Sequence, residues 1–383
     1  MKKWIAILLL IGLCVGLTAC GPTSDGQSGR TDGGETNPAQ TVGQVRILNN
    51  DPQLQTAWET LAAEYKDLTG VEVLVISSDS ESVPTLLEIT DESQLPKNAV
   101  DLSSTGAYAQ LDSWDLALRD DQGKVCAVAA EAEVFGLVYN STLLARTSNT
   151  RADIDSFGDL TEVVYAITDG ALELGFSAFP RLTAQEEFAL LLLAALNGDA
   201  RNLVDLIINN TAEDPMIIAQ TTGEEALQDF LDGKAVFFLA GSMEHDTLSA
   251  IGSENMGVLP VYLGVENEEN KTLCTAARSY WCVDGGASAL DIQETLAFLN
   301  YLVQPRADGT VPVDDLGRMA PYRQAKHICN MLEAVFRSDV DRGMEPMVCR
   351  YVSQVPEGLP QALIAYVENP SNDNWEKVSA LMG

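Results

Sequence analysis

The stretch from Val45 to Ile76 constrains this chain more than any other. Val45-Arg46-Ile47-Leu48 is a short apolar, β-prone run. Asp51 can cap a helix and Pro52 suits its first turn. Leu54, Ala57, Trp58, Leu61, Ala62, Tyr65 and Leu68 then recur on one helical face. Gly70 stops that helix, and Val71 to Ile76 reads as a second strand. Strand, helix and strand in alternation predict an α/β layer. A further helix is expected around Val83 to Ile89, and a strand near Val100 to Leu102. The turns Asn49-Asn50-Asp51 and Ser103-Ser104-Thr105 then fall at strand carboxyl ends, where open α/β sheets place ligands. Asn49, Asn50 and Ser104 are therefore candidate binding residues, although such side chains equally serve as turns and caps.

The alternation continues. Lys124 to Ala130 and Val134 to Tyr139 are apolar and β-prone, with Glu131 and Glu133 between them. A carboxylate inside such a run is costly if buried unpaired, so it either accepts hydrogen bonds from a ligand or faces solvent where domains meet. A second α/β set starts at Asp153, with a helix over Phe157 to Ile167 and a strand over Leu174 to Ala178. Thr183 with Glu186, and Thr222 with Glu225, have capping-box spacing ahead of apolar runs. Gly233 closes the second of these helices. The apolar run Ala235 to Ala240 leads into Gly241-Ser242-Met243-Glu244, a helix start whose amides are free to face a ligand. Met256 to Tyr262 reads as another short strand, Leu273 to Val283 includes Arg278-Ser279-Tyr280-Trp281, and Ser288 with Asp291 caps a helix carrying Ile292, Leu296, Leu299 and Leu302. Tyr322 to Phe336, Leu359 to Tyr366 and Asn372 to Leu381 look helical, and no repeat of fixed period is present.

The first residues have a different character. Lys2 and Lys3 precede an apolar run from Trp4 to Leu17, followed by Leu17-Thr18-Ala19-Cys20-Gly21. A basic start, a short apolar segment and a small-residue cut site make a secretory leader. The run falls short of the about 20 residues that span a bilayer. Leu-Thr-Ala-Cys matches the lipobox of bacterial lipoproteins, in which the cysteine receives a lipid and becomes the first mature residue; an ordinary leader with a chance cysteine explains fewer of these positions. Gly21 to Val42, rich in Gly, Ser, Thr, Asp and Asn, reads as a flexible tether with an r.m.s. reach of about 25 Å. The body beyond it, about 340 residues, suggests two domains. Removing Lys2 and Lys3 with the leader takes the formal charge from −33 to −35, which argues against nucleic acid and anionic lipid surfaces as partners.

Cysteine and histidine usage narrows the chemistry. Cys126, Cys274, Cys282, Cys329 and Cys349 remain after Cys14 and Cys20, an odd number, so at least one thiol is unpaired within the chain. A Cys329–Cys349 pairing is open. His245 and His327 are the only histidines, and HExxH, CxxC, GxSxG, P-loop and GxGxxG patterns are all missing, which disfavours a zinc site or a nucleophilic triad. No cofactor or metal is expected.

Several segments in order resemble the carbohydrate-type (family 1) extracellular solute-binding proteins of ABC importers, relatives of maltose-binding protein. They are Leu61-Ala-Ala-Glu-Tyr-Lys-Asp-Leu-Thr-Gly-Val-Glu-Val, Phe135-Gly-Leu-Val-Tyr-Asn140, Asp232-Gly-Lys-Ala-Val-Phe-Phe-Leu-Ala-Gly-Ser242, Gly257-Val-Leu-Pro260, Tyr280-Trp-Cys-Val-Asp284 and Leu296-Ala-Phe-Leu-Asn-Tyr-Leu302. The resemblance covers nearly all of the body after the tether. It implies an α/β, two-lobed periplasmic-binding-protein-like fold (a Venus flytrap) whose chain crosses a hinge more than once. The implied division is a leader over 1–19, a lipidated Cys20 and linker over 20–42, an N-terminal lobe of 43–132 plus about 281–325, and a C-terminal lobe of 133–280 plus about 326–383.

The same resemblance implies a membrane-tethered, monomeric, non-catalytic lipoprotein on the extracytoplasmic side. It would capture a sugar or oligosaccharide between the lobes and deliver it to an ABC permease. Glu133, seven residues before Asn140, matches a cleft acidic position; Ser242 and Glu244 flank the cleft helix; Tyr280 and Trp281 match the aromatic hinge region. Two departures put the substrate in question: Met243 stands where the family often has a sugar-stacking tryptophan, and only Phe179-Pro180-Arg181 is left of an aromatic and arginine-rich segment. With that tryptophan missing, Trp281 beside Arg278, together with Tyr280 and Phe135, is expected to supply the aromatic surface, Trp281 being equally suited to a core. The alternatives are another small solute (polyol, peptide or charged metabolite), a surface hydrolase built on two carboxylates, or a scaffold lipoprotein without a ligand.

The anchor is directly testable. Metabolic labelling with a fatty-acid analogue should mark the native chain and leave Cys20→Ala unmarked; label persisting on the variant removes the lipobox reading.

Overall fold

A computed structural model describes residues 42–184, 200–211, 217–218, 220–265, 272–349 and 356–382. Cys20, the leader and almost all of the tether lie outside the described residues, as does the helix expected after Thr183. The opening unit forms as its pattern requires. β1 (Val45–Leu48) leads through a 3-10 turn at Pro52–Leu54 into α1 (Gln55–Thr69), and the Asp51 carboxylate caps the turn by accepting from the Gln53 amide at 2.9 Å. Trp58, Leu61, Ala62 and Tyr65 are the buried stripe of α1. Gly70 ends the helix at φ 76°, a left-handed conformation that favours glycine, and β2 (Val73–Ile76) pairs parallel to β1.

The next segment departs from expectation. Val83 to Ile89 contains no helix: Leu86–Ile89 is strand β3, parallel to β1 at Ile47↔Leu86. Pro84 biases Val83 toward extended backbone, and the run is too short for an isolated helix to hold against sheet pairing. Val100 to Leu102 forms no strand, the amides of Val100 and Leu102 reaching the carbonyls of Val283 and Val125 instead. Past α2 (Gly106–Ala109) and β4 (Ala117–Arg119), the two apolar runs merge into one 16-residue strand, β5 (Val125–Asn140).

The Asn140 side chain then caps α3 (Ser141–Arg146). The following helix, α4 (Phe157–Leu174), runs further than expected and consumes Leu174; Gly175 (φ 76°) stops it, so the expected strand over Leu174 to Ala178 is reduced to the bridges Ser177↔Ala235 and Phe179↔Thr211. After α5 (Arg201–Ile208) comes α6 (Gly223–Leu231), which carries the Thr222/Glu225 capping box. β6 (Phe237–Gly241), α7 (His245–Leu248), β7 (Met256–Leu259), β8 (Cys274–Val283) and α8 (Ala289–Leu302) follow, the Ser288 hydroxyl accepting from the Asp291 amide. Tyr322 to Asn330 is not helical; the helix there, α9, is confined to Met331–Asp341. β9 (Met347–Val348), α10 (Leu359–Glu368) and α11 (Asn372–Met382) complete the described chain. Cys329 and Cys349 are unpaired, the first exposed and the second buried.

Among the described residues nine strands form one sheet, in the order β2-β1-β3-β8-β5-β4, with β6 and β7 also on β5 and β9 on β8. The fold is α/β and two-lobed, and the two long strands explain how. Val125, Val128, Ala129 and Ala130 of β5 pack with Trp58, Phe298 and Tyr322 in one core; Leu137 and Tyr139 of the same strand pack with Phe237, Tyr366 and Trp375 in another. A third cluster around Phe230, Phe238 and Phe336 takes Val134 and Val138. β8 makes the same passage in reverse, from Cys274 and Ala276 to Trp281 and Val283. A third passage, through residues 318–323, is tied to β5 by Ala132 N–H to Met319 O (3.0 Å) and Tyr322 Oη to Ala129 O (2.6 Å).

Trp281 is a core residue in this fold, which corrects its expected place at a ligand surface. It is 1% exposed, edge-on to Trp58 with ring centroids 6.1 Å apart and stacked on Tyr322 at 6.3 Å. Its position on β8 turns its side chain into the first core. Trp281→Ala should therefore cost about 3–5 kcal/mol of stability, read as a lower midpoint in denaturant unfolding; a midpoint within error of the native chain would remove it from the core.

Candidate functional site

The chain collects charge where the strands pass between cores. Glu131 and Glu133 are two apart on β5, on opposite sides of a register shift, and pair with Ser279 and Ala276 of β8. Arg278 on β8 donates from Nη1 to Glu131 Oε1 at 3.0 Å and to Met243 Sδ at 3.2 Å, and its Nε lies 3.8 Å from Glu133 Oε2. Arg318, on the third passage, forks onto Glu88 of β3, with Nη1 to Oε1 at 2.6 Å and Nη2 to Oε2 at 2.8 Å, and Nη1 also reaches Glu131 Oε2 at 3.5 Å. Glu131 is thus shared by the two arginines. Ser279 Oγ donates to Glu88 Oε1 at 2.6 Å.

Burial would raise the Glu88 pKa. The charge and hydrogen bonds of Arg318, with help from Ser279 and the Trp281 indole, outweigh it and hold the carboxyl below its ordinary value. Arg318 shows the reciprocal effect: burial favours its neutral form, and Glu88 and Glu131 nevertheless raise its pKa. These two form a bidentate pair, the strongest geometry open to an arginine and a carboxylate.

At Glu133 and Glu244 burial is not outweighed. Burial pushes Glu133 up to about 7, against the pull of Arg278 and the Met243 amide. Burial also raises Glu244, opposed by its hydrogen bond from the Gly241 amide at 3.1 Å. The amides expected to be free at Gly241 to Glu244 are therefore partly engaged, by the Glu244 and Glu133 carboxylates, and the helix that begins there is only the single turn α7. A Cβ at Gly241 would meet the Glu133 carboxylate and press on the Phe135 ring, so a larger residue there would displace the Glu133 side chain. Ser242 is buried: its hydroxyl accepts from the Val134 amide at 3.2 Å, and its carbonyl accepts from Asn330 Nδ2 at 3.1 Å.

Of the residues singled out in the sequence, Glu133, Phe135, Ser242, Glu244 and Arg278 come together here. Tyr280 is half-buried on the neighbouring part of β8, opposite Ile89 and Ala129, and Trp281 is in the core. Asn49 is spent on its own turn, donating to Gln55 and accepting from the Asp51 amide, while Asn50 and Ser104 are exposed. The first turn is near the cluster, since the Asp51 charge acts on Arg318. Glu88, Ser279, Arg318 and Asn330 are cluster residues that sequence reasoning missed. A glutamate in an apolar strand is a weak local signal for Glu88, and nothing local marks Arg318.

Chemically, the cluster offers guanidinium donors, carboxylate acceptors and a thioether at a junction of two cores. That set suits polar recognition better than apolar burial. Among the described residues no group of three or more His, Cys, Asp or Glu side chains is placed to hold a metal ion.

The model of a family described as bacterial extracellular solute-binding protein matches residues 39–310. No curated protein matches the sequence. Among solved structures, a family 1 extracellular solute-binding protein from Bifidobacterium longum subsp. infantis is similar with a TM-score of 0.64 at 13% identity, over 89% of this chain and 98% of that one. A probable secreted solute-binding lipoprotein from Streptomyces coelicolor gives 0.62 at 14% identity, over 89% and 97%. RafE from Streptococcus pneumoniae gives 0.61 at 12% in its apo form, over 89% and 96%, and 0.52 at 12% in its raffinose complex, over 88% and 98%. At such identities the likeness is one of fold.

The raised pKa of Glu133 has a signed consequence. Its folded value, about 7, exceeds the ordinary 4.5, so folding favours the neutral carboxyl. That contribution is complete below about 4.5 and is lost as pH rises through about 7. Glu133→Gln, always neutral and still able to accept from the Met243 amide, should match the native chain at low pH. Well above pH 7 it should be more stable by up to about 3 kcal/mol. Chemical denaturation across that range checks it; equal pH profiles for the two chains would contradict it.

Proposed function

The chain belongs to the bacterial extracellular solute-binding proteins, and on that premise we propose that it captures a sugar or oligosaccharide between its two lobes and hands it to the membrane permease of an ABC importer. The observation that carries this is the Glu88–Arg318–Glu131–Arg278–Glu133 cluster, centred where β5 and β8 pass from one core to the other. A solute there touches both lobes, and differential contact is what allows a ligand to shift a lobe equilibrium. Carboxylates and guanidinium groups in alternation suit the mixed donors and acceptors of hydroxyl groups. We assign the lobes to 43–132 plus about 281–325 and 133–280 plus about 326–383, with Glu133, Phe135, Ser242, Glu244, Arg278 and Tyr280 toward the ligand and Asn49, Asn50 and Ser104 at the rim. The protein acts without catalytic turnover, as a monomer tethered through Cys20 on the outer face of the cell membrane.

One observation favours a second reading, a charged metabolite. Trp281 is buried and Met243, 60% exposed, stands where an aromatic platform would help a sugar. Thermal unfolding with a panel of oligosaccharides, polyols and small charged metabolites separates the two. A ligand at a hundred times its dissociation constant adds about 2.7 kcal/mol. The expected result is a raised midpoint with a saccharide, lost in Arg278→Ala, together with a smaller radius of gyration by small-angle scattering. Stabilisation by charged metabolites alone selects the second reading, and none by any member of the panel counts against a binding role.

A further inference from the structure

Four tryptophans lie among the described residues. Trp58, Trp281 and Trp375 are buried, whereas Trp114 is 60% exposed. It stands at the wall of a cavity of about 650 Å³, which shares no lining residue with the Glu–Arg cluster. Residues 112–115 form one side, between Leu111 and Leu116, which are anchored in the first core. The end of α9 and the turn after it, with Asp341, Met344 and Glu345, form the other; Val340 there packs on the third cluster. Arg323 adds a guanidinium from the third passage. We propose that this cavity is a second binding site, for a carbohydrate, distinct from the cluster described above.

The platform is held in place before any ligand arrives. The Ser113 hydroxyl accepts from the Asp115 amide at 3.4 Å and caps the turn that carries Trp114. Trp114 stacks on Tyr108 with centroids 6.4 Å apart and planes at 23°, and the Arg119 guanidinium covers Tyr108 at 5.5 Å. A fixed, exposed indole loses little entropy when a ring settles on it. The C–H face of a pyranose is an apolar surface of that shape, and its hydroxyls both donate and accept. Asp115, Asp341 and Glu345 are exposed and have no ion pair among the described residues, so they can accept; Arg323, exposed and anchored through Nε to Leu111 O at 3.2 Å, can donate. Asp112 is excluded from this role because Arg337 holds both its oxygens at 2.9 and 3.0 Å. The volume lies in the range of pockets that enclose small ligands.

The test uses the full chain labelled with 5-fluorotryptophan, the Trp114 signal being assigned by its loss in Trp114→Phe. Titration with raffinose and, separately, with maltose should shift the Trp114 signal saturably with at least one of them. The shift should persist in Arg278→Ala and Glu133→Gln, which alter the cluster, and Arg323→Ala should weaken it about tenfold, as expected for loss of a charged hydrogen bond. An unmoved Trp114 signal with both sugars overturns the proposal. So does a shift that vanishes in both cluster variants, since it would report only ligand in the cluster, and so does a response to spermidine with none to either sugar, which would make the cavity a cation site.

Discussion

The pairing of β5 with β8 is the contact on which the rest of the molecule depends. It runs from Val128↔Trp281 to Phe135↔Cys274, and each of the two strands has one end in each core. Successive residues of a strand face opposite sides, and β5 is buried on both, so a slip of one position would exchange the side chains offered to the cores on its two faces and part Glu131 and Glu133 from their arginine partners. The buried valines and alanines at both ends fix the register against that. The ladder shifts at Ala129/Glu131 and again at Glu131/Ala132. Such irregularities bend a strand and re-aim its side chains, and here they occur where the chain leaves one core for the other. The same two shifts present Glu131 to the arginines of two different segments.

Charge then pins the passages to one another. Arg318 ties the third passage to β3 through Glu88 and to β5 through Glu131, and Arg278 ties β8 to β5. Farther along, Arg337 of α9 reaches across to Asp112 and also donates to the carbonyls of Ala320 and Tyr322. Buried ion pairs of this kind add little net stability because desolvation offsets their attraction, but removing one partner strands a charge. Their effect here is geometric: few relative placements of the segments satisfy every donor and acceptor at once. On the proposed reading, a solute entering the cluster competes with these bonds, which would select for ligands able to replace them.

Glu133 and Glu88 show how close neighbours acquire opposite character. Both are carboxylates near an arginine on strands of one sheet. Glu88 receives a bidentate fork and a serine hydroxyl, and its charge is kept. At Glu133 burial outweighs the more distant Nε of Arg278 and the Met243 amide, with a smaller push from the charges of Glu244 and Glu131, and its neutral form gains. At neutral pH one side of the cluster is therefore fully charged and the other is poised between acceptor and donor.

Local chemistry was written plainly in the sequence. The α1 stripe with its Gly70 stop, the Thr222/Glu225 box and the Ser288 cap all appear where their residues stand, because each depends on hydrogen bonds and periodicities spanning only a few positions. The α/β class and the meeting of Glu133, Ser242, Glu244 and Arg278 were legible too, through motifs in order. What tertiary structure alone decided involves partners far apart in the chain. Leu86–Ile89 is a strand because β1 and β8 flank it, although its own composition is compatible with a helix. Trp281 is internal because Trp58 and Tyr322 close over it. Glu88 and Arg318 are separated by 230 positions, and no short-range pattern can announce a bond that exists only after two cores have formed on either side of it.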